Sequence, residues 1–137
     1  MAGRGFQFLK LSFLIGVIAD ALVAVNWFLI ASGTAIPNMM CGFSATVPEY
    51  RFAMYIAALF MTGWSAILAW GWVKPFERRG LLLITAVLLL VSIVLELVFF
   101  RSILGGTGFA FGLGVRVALI AKFSASYFYS RGPVENG

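Results

Sequence analysis

Five side chains carry most of the chemistry open to this chain: Asp20, Asn26, Glu96, Arg116 and Lys122. Each interrupts a long apolar run, where an ionisable group or a primary amide is expensive. A charged side chain at a bilayer centre costs at least ~2.5–3.5 kcal/mol, so it must face protein or water and find a partner. Two acids and two bases suit either of two roles. A carboxyl that titrates is the usual element of a proton relay across a membrane. A carboxylate locked to a base is a poor proton carrier near neutral pH and joins helices instead.

Other chemistry is thinly represented. The chain has no histidine, which removes the commonest haem and zinc ligand and the usual general base. Its one cysteine, Cys41, allows neither an intrachain disulfide nor a CxxC redox pair. The stretch GTGFAFG at 106–112 is not a GxGxxG phosphate loop, because the last spacing is wrong and no strand precedes it. We therefore expect no catalytic residue, no cofactor and no metal site, and an activity other than an enzyme's.

The elements that hold the five residues follow from composition. In 137 residues, enough for one domain, 62% are hydrophobic and 11% charged, which a soluble fold of this size could not hide. Four apolar stretches, 11–32, 53–73, 81–100 and 109–129, each have about the 20 residues that span a bilayer as helix. Beta-barrel spans would be shorter and alternate in polarity. The expected fold is thus an all-α integral membrane protein, four transmembrane helices in one compact bundle. The connections carry the punctuation: Pro37, Gly42 and Pro48 in the first, the polar KPFERRG at 74–80, and the glycine-rich RSILGGTG at 101–108. The tail RGPVENG at 131–137 reads as a short disordered end.

Lys and Arg set the orientation. Arg4, Lys10, Lys74, Arg78, Arg79 and Arg131 gather at one end, whereas the opposite loops hold only Arg51 and Arg101 at their edges. The positive-inside rule places both termini and the 74–80 turn in the cytoplasm. Trp70, Trp72, Tyr127 and Tyr129 lie at that level and read as an interfacial belt. The net charge of +5 thus records topology. No basic cluster interleaved with polar residues points to nucleic acid. Lys74, Arg78 and Arg79 fall short of the 4–8 charges of a lipid-binding cluster, and Pro75 and Glu77 suit a helix start. Helix 1 is too long, and too polar at Asp20 and Asn26, for a cleaved signal core, so we expect it to be retained.

Depth organises the interior residues. Counted at ~1.5 Å per residue from the outer end of each span, Glu96 lies ~8 Å deep, Asn26 ~9 Å and Arg116 ~12 Å. Asp20 and Lys122 come out at ~18 and ~20 Å. This predicts a Glu96–Arg116 pair with Asn26 nearby, and an Asp20–Lys122 pair below it. Lys122 has an alternative, since it lies about two turns from the inner end of its span and could snorkel to the cytoplasm. Thr85, Ser92 and Glu96 share one stripe of helix 3, and Gly16, Asp20, Ala24 and Trp27 one stripe of helix 1. Gly108, Gly112 and Gly114, with a GxxxG between the first two, are the expected helix-packing residues of helix 4, within the monomer or in a homodimer.

The resulting expectation is a non-catalytic accessory or structural component of a membrane assembly. The alternative is a small proton- or ion-coupled transporter working as a bundle or homo-oligomer. The expected partners are the lipid bilayer and either further copies of the chain or a larger membrane complex. The expected location is the plasma membrane of a prokaryote.

Overall fold

Pro48 at the first helical position and Glu49 in the first turn start one helix of this chain well; proline needs no donor there and the carboxylate suits the helix dipole. That helix is α2 (Pro48–Val73), in the order α1 (Ala2–Ala31), α2, α3 (Gly80–Phe99) and α4 (Gly106–Tyr129). The computed structural model describes residues 2–131; the expected disordered end at 132–137 lies outside the described residues. All four helices are long and apolar enough to cross a membrane, and the chain is a small four-helix membrane protein. All four helices start earlier than their apolar runs, most of all α1, at Ala2 rather than 11, and α2, at Pro48 rather than 53. Hydropathy counts only the apolar part, whereas the helix continues through its polar flank, where Arg4, Gln7 and Glu49 are exposed.

The helices pack as two hairpins, α1 against α2 and α3 against α4, joined along an α1–α4 seam. The core lies toward the end that gathers the basic residues, hereafter the basic end. There Leu9, Phe13, Leu68, Leu82, Ala86 and Phe123 form one cluster drawn from all four helices. A glycine permits the closest approach within it. The Phe13 ring lies against Gly71, where a methyl group would collide with it.

In lipid the hydrophobic effect does not drive helices together, so association rests on packing and on hydrogen bonds between helices. Three helix pairs are joined by such bonds. Ser12 and Ser126 hydroxyls lie 2.6 Å apart across the α1–α4 seam. Ser65 Oγ donates to the Val17 carbonyl at 3.1 Å, joining α2 to α1. Trp64 Nε1 donates to Thr85 Oγ1 at 3.2 Å, joining α2 to α3. Between the two ends the outer surface is largely apolar: Phe60 is 76% and Phe99 70% exposed, a surface that lipid tolerates and water does not.

The basic end is finished by cations on aromatic rings and carbonyls. Lys10 lies over Trp72 and Phe6, Arg78 over Trp70, and Arg131 over Tyr127. Arg78 also donates to the Trp70 carbonyl, and Arg79 Nη1 donates to the Ser130 carbonyl at 2.6 Å. Both bonds satisfy carbonyls left open where α2 and α4 end. Lys74 pairs with Glu77 at 3.3 Å, an exposed contact of little energetic consequence. The basic turn therefore spends its side chains on helix ends.

Candidate functional site

At the opposite end the bundle is completed by a loop rather than by helix–helix contact. The α1–α2 connection, 32–47, folds back between the helices and reaches Gly112, roughly 9 Å along α4 from its first residue. Irregular backbone survives at such depth only where protein or a lined cavity satisfies its polar groups. Asn38 does much of that work and is only 5% exposed. Its Oδ1 accepts from Trp27 Nε1 at 3.1 Å and from the Met40 amide at 3.0 Å. Its Nδ2 donates weakly to Tyr50 Oη at 3.4 Å and Met54 Sδ at 3.5 Å. Its own amide donates to the Phe43 carbonyl at 2.8 Å, and its carbonyl accepts from the Gly42 amide at 2.7 Å, closing the turn.

Two of the five intramembrane residues clamp this loop from either side. From α1, Asn26 Oδ1 accepts from the Met39 amide at 3.0 Å and Nδ2 donates to the Pro37 carbonyl at 3.1 Å. From α4, Arg116 Nη2 donates to the Met40 carbonyl at 3.1 Å. Arg116 is 3% exposed, and its other two nitrogens are also engaged: Nη1 with Glu96 Oε1 at 2.7 Å and Nε with the Gly112 carbonyl at 3.2 Å. The expected Glu96–Arg116 pair therefore forms, and Asn26 joins its layer indirectly, through Met39 and Met40. The second Glu96 oxygen is buried without a hydrogen-bond partner among the described residues.

Two expectations are corrected. Lys122 does not pair with Asp20; its Nζ lies 4.1 Å from the centre of the Phe8 ring, and that ring meets Tyr129 edge-on. Phe8 is twelve residues, about 18 Å of helix, from Asp20. A long, flexible side chain two turns from the helix end gains more from an aromatic ring near the interface than from a carboxylate held in the apolar middle. Within the monomer, Gly108 and Gly112 of α4 likewise meet the inserted loop rather than another helix. At Gly112 an added Cβ would meet the Met40 oxygen at 2.5 Å and the Met39 oxygen at 2.8 Å; at Gly108 it would lie 3.1 Å from the Cα of Gly42. Both serve the inserted loop, whereas a Cβ at Gly114 would meet nothing within 4 Å. Gly42 answers from the loop side with φ of 72°, a left-handed conformation that disfavours other residues, at 3.0 Å from the Phe109 nitrogen for an added Cβ.

Between the packed core and the inserted loop lies a cavity of about 260 Å³. Asp20, Val23, Met39, Met40, Met61 and Arg116 are among its lining residues. Asp20 Oδ2 is buried and has no hydrogen-bond partner among the described residues, and no Lys or Arg nitrogen there comes within 4.0 Å of this carboxylate. Cys41 sits in the loop near Glu96 and Arg116, and burial pushes its thiol above its ordinary value, against the pull of its bond to the Phe43 backbone. It is thereby a poor thiolate.

Residue type and spacing found Asn26, Glu96 and Arg116 but not what they hold. Asn38 was missed, although Pro-Asn followed by Gly42 is a turn signal whose asparagine can bond its own backbone. Among the described residues no three His, Cys, Asp or Glu side chains gather as a metal site would require. Compared with the models of known families, with curated proteins and with solved structures, the chain matches none.

Proposed function

We propose that this chain is a non-catalytic accessory component of a membrane assembly. The observation that carries the reading is the commitment of Arg116: each of its three guanidinium nitrogens donates once, to Glu96, the Gly112 carbonyl or the Met40 carbonyl. A carboxylate and a guanidinium used this way hold a loop and two helices together, and they offer no free proton carrier. The short connections at 74–79 and 100–105 leave little chain outside the bilayer for a substrate site. The wide apolar faces of α2 and α3, with Phe52, Phe60, Val98 and Phe99 strongly exposed, suit contact with lipid and with other transmembrane helices, either of further copies or of a larger complex. The positive-inside distribution supports cytoplasmic termini, and the compact chain fits a prokaryotic plasma membrane.

Asp20 is the one observation that favours the second reading, a proton- or ion-coupled transporter, because it is an interior carboxylate outside the ion pair. Reconstitution into liposomes holding a pH-sensitive dye separates the two. The accessory reading expects no solute-dependent proton flux, and a stoichiometric partner or defined oligomer in mild detergent. Flux that disappears in Asp20→Asn or Glu96→Gln would replace it with transport.

A further inference from the structure

We propose that the cavity beneath the inserted loop is a binding site for a small organic cation with an apolar body, such as a quaternary or protonated amine on a single ring. The site goes beyond the accessory reading and does not depend on it.

Three observations converge on that chemistry. The first is charge. The cavity wall holds Asp20 and Arg116, but Arg116 is paired with Glu96 at 2.7 Å and its other two nitrogens each donate to a carbonyl. Asp20, with a buried oxygen that no group bonds and no base within 4.0 Å among the described residues, is the ionisable group of the wall left without a partner, and a bound cation would hold it as the carboxylate. Desolvated charge of that kind is costly until an opposite charge meets it.

The second is lining. Apart from the two charged groups the wall is apolar, with Met39, Met40 and Met61 contributed by the loop and α2. Thioethers are polarizable and adapt their shape, so they accept a soft, bulky cation better than a small hydrated one. A metal cation would need several hard ligands to replace its water, and among the described residues no such group of acids gathers.

The third is size. An engineered apolar cavity of about 150 Å³ takes benzene; about 260 Å³ takes a ring with a compact cationic head. All four helices and the loop contribute to the wall, and the loop is clamped by Asn26 and Arg116. Hydrogen bonds thus fix the loop side of the wall.

The test uses the full chain in detergent micelles and three probes of one shape: phenyltrimethylammonium, uncharged tert-butylbenzene, and anionic benzenesulfonate. Equilibrium dialysis against protein-free micelles is expected to give saturable binding of the cation, about tenfold or more tighter than either other probe. Asp20→Asn removes the charge without changing the shape and is expected to weaken cation binding about tenfold, while Asp20→Glu stays within about threefold of the parent. No saturable cation binding, or equal binding of all three probes, overturns the proposal. Undiminished binding in a folded Asp20→Asn overturns it as well. The comparison of probes on the unmodified chain decides the matter even where Asp20→Asn does not fold.

Discussion

Arg116 on α4 donates to the main-chain carbonyl of Met40, 76 residues away, at 3.1 Å, while holding Glu96 at 2.7 Å with its neighbouring nitrogen. One guanidinium thus ties α3, α4 and the α1–α2 loop at a single point. The ion pair is part of how the loop stays in the bundle.

Breaking that point has a specific signature. Arg116→Gln leaves both Glu96 and the Met40 carbonyl unanswered and is expected to cost about 3–5 kcal/mol, as for a buried pair that loses one partner. Glu96→Gln together with Arg116→Gln recovers part of the loss but stays about 1–3 kcal/mol short of the parent, because the Met40 carbonyl remains open. Unfolding in mixed micelles measures both; complete recovery in the double variant would mean that the loop contact carries no weight.

Asn26 makes two bonds to loop backbone and none to a side chain. Asn26→Leu is expected to cost about 1–3 kcal/mol and to speed amide exchange at Met39 while leaving the core around Phe13 protected. Uniform deprotection across α1 would instead point to helix packing as its role.

Two glycines on one helix should behave in opposite ways. Gly112→Ala forces a methyl group onto the Met39 and Met40 carbonyls, which are backbone and yield poorly, and is expected to lower stability by about 1–3 kcal/mol. Gly114→Ala meets open space and is expected to be neutral or to stabilise by up to about 1 kcal/mol through helix propensity. Melting temperatures of the two purified variants check the contrast.

Asp20 and Lys122 should act independently. With Lys122 on the Phe8 ring, the cycle Asp20→Asn, Lys122→Gln and the double variant is expected to add within about 0.5 kcal/mol. A coupling energy well above that would restore the ion pair.

Cys41 gives a pH dependence whose sign can be stated. Burial raises its thiol in the folded chain, so the protonated form is the one the fold favours. The stability it contributes is complete below the unfolded value of about 8.5 and is lost as pH rises through and beyond it. Alkylation at pH 8 should therefore be slower in the folded than in the denatured protein, and Cys41→Ala should flatten the fall in melting temperature above pH ~9.

The four helices and their order were legible in the sequence, because length and hydropathy alone satisfy the bilayer's demand that backbone polar groups be bonded within each span. The Glu96–Arg116 pair was legible too, since depth along a helix converts directly to residue number. The partner of Lys122 was not. A long side chain near a helix end has several destinations, and only the position of Phe8 on a neighbouring helix selects one. The α4 glycines carried the same ambiguity, since a small residue shows that something approaches closely but not whether it is helix or loop. What approaches is the Met39–Met40 backbone. Sequence alone thus determined that polar groups sit at these depths in four membrane helices. The tertiary structure decided that two of them, Asn26 and Arg116, hold an inserted loop and that Asp20 lines a cavity instead, because hydrogen-bond partners are set by which elements meet in space rather than by spacing along any one of them.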